Sequence, residues 1–182
     1  MSVATAPVRV AVPRSPDRAA AVRLLVSWAP CLLAALLFFA QLGHRDLFSS
    51  HEARAAQNAQ RMLDTGAWGV PVLFDGRADL YYWAVAAVGR VNGGEVSEWV
   101  VRFPAALAGL VCVLIVSAAL RSEGRSTAAF VAAVALGTAN HFTGISRTAR
   151  IDVPLACAVL ASLLAFYRGC RAAPLAWHAL SA

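Results

Sequence analysis

The sequence predicts an all-α, polytopic membrane helix bundle with a structured extracytoplasmic loop between its first two spans. Three observations predict it. The 182 residues are 59% hydrophobic and 14% charged, whereas a soluble domain carries roughly 25% charged residues. The apolar residues gather into runs close to the roughly 20 residues that a bilayer core requires. Most of the ten acids fall together between residues 43 and 100, so the polar stretch after the first apolar run is more than a connection.

Taken in order, residues 1–21 are rich in Ala, Val, Pro and Arg and read as a disordered cytoplasmic tail. Leu24 to Leu42 forms the first span, over about 24–42. A secretory signal is the rival reading, but the residues after the apolar run make a poor cleavage site and more spans follow. The external loop covers 43–100. Within it, Ser49-Ser50-His51-Glu52 fits a capping box, with Ser49 as N-cap. The helix that follows places Ala55, Ala56, Ala59, Met62 and Leu63 on one face, with Arg54, Gln57, Asn58 and Arg61 on the others. Gly66 is its natural stop.

Residues 68–74 alternate weakly and read as extended, and Asp75-Gly76 is a turn signal. Leu80 to Val91 is apolar but only about half a span. With Tyr81, Tyr82 and Trp83 at its start, it is expected to lie at the membrane interface, where aromatic residues collect. Later spans are expected over about 101–120, 128–145 and 151–167. A fifth apolar run starts at 172–182 and stops as a half-built helix. The chain therefore reads as the N-terminal part of a longer polytopic protein.

Orientation comes from charge. All sixteen basic residues are Arg. Arg121 and Arg125 flank one short turn, and Arg168 and Arg171 close the fourth span. With the N-terminal tail they make the inside positive. The N-terminus is then cytoplasmic, and the long loop faces outward from a plasma (inner) membrane. The net charge of +6 does not indicate nucleic acid, because no basic cluster with interleaved aromatics is present. Cys31, Cys112, Cys157 and Cys170 lack metal-ligand spacing and read as small apolar fillers.

Several pieces together resemble the first external loop of GT-C membrane glycosyltransferases, in the branch containing aminoarabinose transferases and protein O-mannosyltransferases. They are His51-Glu52-Ala53-Arg54, the stretch from Arg61 to Trp68, Pro71 to Gly76, and Tyr81-Tyr82-Trp83. Glu98 to Leu107 and Arg147 to Leu155 resemble the family's approach to its second span and its second external loop. The sequence departs from the family pattern at two places. His51 stands where the first of two acids is usual, and no Lys-Pro-Pro precedes Tyr81.

The resemblance implies a transfer of sugar from a polyprenyl-phosphate carrier to a lipid or protein acceptor outside the membrane. Such chemistry needs a carboxylate as general base on the acceptor hydroxyl and cations for the carrier phosphate. Glu52 is the candidate base, unless it is simply the acid of the capping box. Asp152 is the second candidate, against a plain first-turn acid favoured by the helix dipole. Arg54, Arg147 and Arg150 are the candidate phosphate ligands. Arg147 and Arg150, three residues apart, are expected to share one helical face. Arg102 either snorkels to the interface or contacts the phosphate. Tyr81 and Tyr82 are either an interfacial belt or part of a lipid-chain groove.

A divalent metal, with His51 among its ligands, is a cofactor that the sequence leaves open. Asn140 and His141 are expected to face the bundle or the interface. Two readings compete with the enzyme. One is a catalytically inactive relative that binds a membrane lipid or a partner. The other, a small transporter, is weakened by the absence of a mid-depth carboxylate in the spans.

Overall fold

The computed structural model describes residues 18–68 and 80–172. Among them are seven helices and no strand: α1 (Arg18–Phe39), α2 (Ser50–Thr65), α3 (Leu80–Val91), α4 (Glu98–Ser122), α5 (Ser126–Thr138), α6 (Asn140–Ser146) and α7 (Asp152–Ala172). The tail through residue 17, the extended stretch expected from 69, the turn at Asp75-Gly76 and the apolar run from 173 lie outside the described residues. α4 and α7 are long and apolar enough to cross a membrane, and Val26–Phe39 of α1 is a shorter apolar helix.

The stretch expected as one span over 128–145 is two helices, α5 and α6, meeting at 64°. The break needs no proline. Ala139 takes an extended conformation, φ −59° and ψ 114°. Helix ends leave carbonyls without partners, and Thr143 supplies one, its hydroxyl donating to the Gly137 carbonyl at 3.1 Å. The Thr143 N–H donates to Ala139 O at 2.8 Å, which restarts the helix.

α2 begins and ends where its sequence signals stand. Ser49 is extended, and its hydroxyl accepts from the Glu52 N–H at 3.2 Å. Gly66 ends the helix at φ 67°, a left-handed conformation that glycine adopts without penalty. The buried stripe is Glu52, Ala55, Asn58, Ala59 and Met62. Asn58 thus faces the core, contrary to the expectation from amphipathicity. Gln60 fastens the far side of α2 to the segment before α4. Its amide donates to Gly94 O at 3.1 Å and accepts from the Val96 N–H at 2.9 Å.

α4 packs against every other described helix. Its first half joins α2 and α3 in one apolar core, built on Met62, Val85, Val100 and Val101. Its second half joins α1 and α5 in another, built on Phe38, Ala34, Val113 and Ala133. Close approach in the second core depends on missing side chains. A Cβ on Gly109 would lie 2.6 Å from Ser146 Oγ and 3.3 Å from the Phe38 ring, and one on Gly137 would lie 2.8 Å from the Ala34 Cβ. Small residues at helix contacts are the usual way for apolar helices to gain packing in lipid.

α3 is more buried than an interfacial helix should be. Tyr81 and Tyr82 turn into the first core, while Leu80 and Trp83 face outward. The Tyr81 hydroxyl donates to Val101 O at 2.7 Å, so this aromatic cluster ties α3 to α4 rather than forming an outward belt.

Gly109→Val is expected to overpack the α4–α6–α1 contact and to destabilise the protein by about 1–3 kcal/mol. Gly169→Ala, whose added Cβ meets nothing within 4 Å, is expected to raise stability slightly, by up to about 1 kcal/mol. Thermal unfolding in detergent checks both.

Candidate active site

Arg102 lies in the second turn of α4, at the seam between the two cores, and is 4% exposed. A guanidinium has five N–H donors, and here all five are used. Nε donates to Glu52 Oε1 at 2.8 Å. Nη1 donates to Leu42 O at 2.9 Å and to Arg45 O at 2.7 Å. Nη2 donates to Asp46 O at 2.9 Å and to Glu52 Oε2 at 3.2 Å. Arg102 is therefore neither a snorkelling side chain nor a phosphate ligand. It has no donor left for a phosphate.

Glu52 is the other half of this junction. It sits one helical turn before Ala55 and two before Ala59 on the buried face of α2, and is 1% exposed. Its backbone N–H completes the cap, while its carboxylate turns inward to Arg102 and accepts the Ala149 N–H at 3.4 Å. Burial by itself would raise its pKa. The Arg102 hydrogen bond and charge, with the backbone N–H groups of Ala149 and Phe48, outweigh that and hold it below the ordinary carboxylate value. One ion pair thus joins α2, α4, the α1–α2 connection and the α6–α7 connection.

Beside this junction, two hollows open. The first, about 220 Å³, is lined by His51, Ala55, Tyr81, Tyr82 and residues 149–152. The second, about 410 Å³, is lined by Phe48, Ser49, His51, Asn140, His141, Gly144, Ile145, Thr148 and Arg150. His51 and Arg150 belong to both. Arg150 Nε also pairs with the Asp152 carboxylate at 2.7 Å, both side chains being half-exposed.

The other candidates are dispersed. Arg147 and Arg150 share no helical face, because 147–151 is the connection between α6 and α7. Arg147 turns to α1 and donates to Ala40 O at 2.7 Å, where it serves a helix end. Arg54 is exposed on α2 and lines neither hollow. Tyr81 borders the first hollow, but its hydroxyl is engaged with α4 and burial pushes its pKa up. Among the described residues no group of three His, Cys, Asp or Glu comes together to hold a metal ion. His51 therefore belongs to no three-residue ligand group there.

Sequence reasoning missed the Glu52–Arg102 pair and the sharing of His51 between two hollows. One signal for the first was present. Residues 52, 55, 59 and 62 are spaced by three and four, which puts Glu52 itself on the apolar face and calls for a buried cation opposite.

A family model described as dolichyl-phosphate-mannose-protein mannosyltransferase matches residues 77–182. The chain belongs to this family. No curated protein and no solved structure matches it. Membership in the dolichyl-phosphate-mannose-protein mannosyltransferase family implies a multi-pass membrane glycosyltransferase of GT-C type that depends on a polyprenyl-phosphate-linked sugar. The match contains Arg102, Arg150 and Asp152, while His51 and Glu52 lie before it. The mannosyltransferase-family segment and the preceding loop helix thus meet at the same two hollows.

Two outcomes test the junction. Arg102→Leu leaves a buried carboxylate unpaired and is expected to cost about 3–5 kcal/mol of stability. Because the Glu52 pKa is depressed in the folded protein, its contribution is present above the ordinary Glu value, about 4.3. It is lost as pH falls through the lower folded value. Glu52→Gln is expected to be less stable at neutral pH and to flatten that acid limb. Unfolding midpoints measured from pH 7 down to pH 3 check both.

Proposed function

We propose that this chain transfers a sugar from a polyprenyl-phosphate carrier to a hydroxyl of an extracytoplasmic lipid or protein acceptor, at the two adjoining hollows. The observation that carries the reading is their common wall. Two substrates must meet in such a reaction, and two spaces meet here at a guanidinium. Arg150 is placed to hold the carrier phosphate, for which a planar guanidinium is well shaped. Its pairing with Asp152 orients it without burying it, and Tyr82 offers an aromatic wall to the sugar.

Glu52 and Arg102 act at one remove. Both carboxylate oxygens are engaged and the side chain is buried, so a base role would require breaking the ion pair first. The pair instead fixes the start of α2 and the 149–152 segment relative to each other. Those two segments carry the residues that face the hollows.

The charge at the two ends of the bundle supports one orientation. Arg121, Glu123 and Arg171 lie together at one end, with Arg171 paired to Glu123. The hollows lie at the other, where α4 and α7 begin. With the Arg-rich turns inside, the hollows face outward from a plasma (inner) membrane and the N-terminus is cytoplasmic.

Membranes or nanodiscs carrying the protein, given a labelled polyprenyl-phosphate-linked hexose and a hydroxyl acceptor, are expected to yield labelled acceptor. Arg150→Ala is expected to lower kcat/KM at least tenfold, chiefly through the KM for the donor. Unchanged transfer by Arg150→Ala would remove this residue from the site. Carrier binding without transfer by the native chain would favour the lipid-binding, non-catalytic reading.

A further inference from the structure

We infer that His51 is the general base that takes the proton from the acceptor hydroxyl, an assignment that rests on the sugar-transfer reading above. A base for this reaction must reach both substrates. Among the described residues, and apart from the cationic Arg150, only His51 lines both hollows. The other titratable groups among the described residues are less well placed. Glu52 is 1% exposed, with both oxygens on Arg102. Asp152 lines one hollow and is paired with Arg150 at 2.7 Å. Tyr81 is buried and donates to Val101 O. His141 lines the second hollow and not the first.

The local build favours the same group. His51 is the second residue of α2 and is exposed. Its neighbour Glu52 is locked, so the backbone that carries the imidazole is held by the ion pair while the imidazole itself stays in the open. A neutral imidazole nitrogen can accept a hydroxyl proton and hold it on the ring, as a general base must. The groups that face it across the hollows are Arg150 and Asp152 from the 149–152 segment, His141 from α6, and Tyr81 and Tyr82 from α3. On its own helix the nearest charges are Glu52 and Arg54.

The step balances as follows. The acceptor oxygen forms a bond to the anomeric carbon of the sugar as the bond from that carbon to the phosphate oxygen breaks. The hydroxyl proton passes to the imidazole. The electron pair leaves with the polyprenyl phosphate beside Arg150. The imidazolium then returns its proton to water. The site needs no oxidant or further reactant.

The test is the pH dependence of kcat/KM for native protein, His51→Gln, His51→Asp and Asp152→Asn in nanodiscs. Native protein is expected to lose activity as pH is lowered, because protonation removes the base. His51→Gln is expected to lose about 10²–10⁴-fold in kcat with an unchanged unfolding midpoint. His51→Asp is expected to recover part of that activity and to hold it to lower pH than native protein, a carboxylate being a weaker base than an imidazole. Asp152→Asn is expected to keep the native pH dependence. Transfer by His51→Gln at native rates, or a pH dependence that stays in His51→Asp and moves in Asp152→Asn, overturns the assignment while leaving the transferase reading intact. A native chain that transfers nothing at any pH overturns both.

Discussion

A buried guanidinium bonded to a buried carboxylate governs this bundle. Removing two charges from water costs several kcal/mol per ion, and the cost is offset only when geometry and hydrogen bonding are nearly complete. Here they are: Arg102 has all five donors engaged and Glu52 accepts from Arg102 and Ala149. An arrangement so demanding tolerates little displacement of its partners. The start of α2, the chain leaving α1, the second turn of α4 and the segment before α7 therefore have fixed relative positions. The two hollows exist between elements that this pair holds apart and in register.

α4 makes the arrangement possible because it belongs to two cores at once. Its first half closes a small globular layer with α2 and α3, in which aromatic and β-branched side chains fill the space. Its second half runs among α1, α5 and α7, where packing depends on close backbone approach at Gly109 and Gly137. The first layer has the character of a soluble protein and the second that of a membrane bundle. Arg102 sits where they meet. A charge there would be costly in either layer alone, and the carbonyls of the 42–46 connection are what make the seam polar enough to hold it.

Local features were legible in the sequence. The Ser49 cap and the Gly66 stop of α2, and the extent of α3 over Leu80–Val91, depend on hydrogen bonds and periodicity within a few residues. Tertiary consequences were not. Glu52 and Arg102 are fifty residues apart, and nothing local announces that one will face the other. Asn58 reads as a surface residue by type, yet the 55, 58, 59, 62 stripe carries it inward. Arg147 and Arg150 are spaced for one helix face, but the chain there is not helical, so each side chain follows a different neighbour. The bend at Ala139 has no proline to mark it. It arises because Thr143 can take over the Gly137 carbonyl.

Three of the five bonds made by Arg102 go to main-chain carbonyls, at Leu42, Arg45 and Asp46. Every amino acid supplies that oxygen. The identities of those three residues are therefore nearly irrelevant to the junction, and substitutions can accumulate there without loosening it. The number of residues between them is another matter. An insertion or deletion of a single residue between positions 42 and 46 would present the guanidinium with carbonyls at the wrong places along the chain. The junction thus reads the backbone of this short connection and is strict about its length.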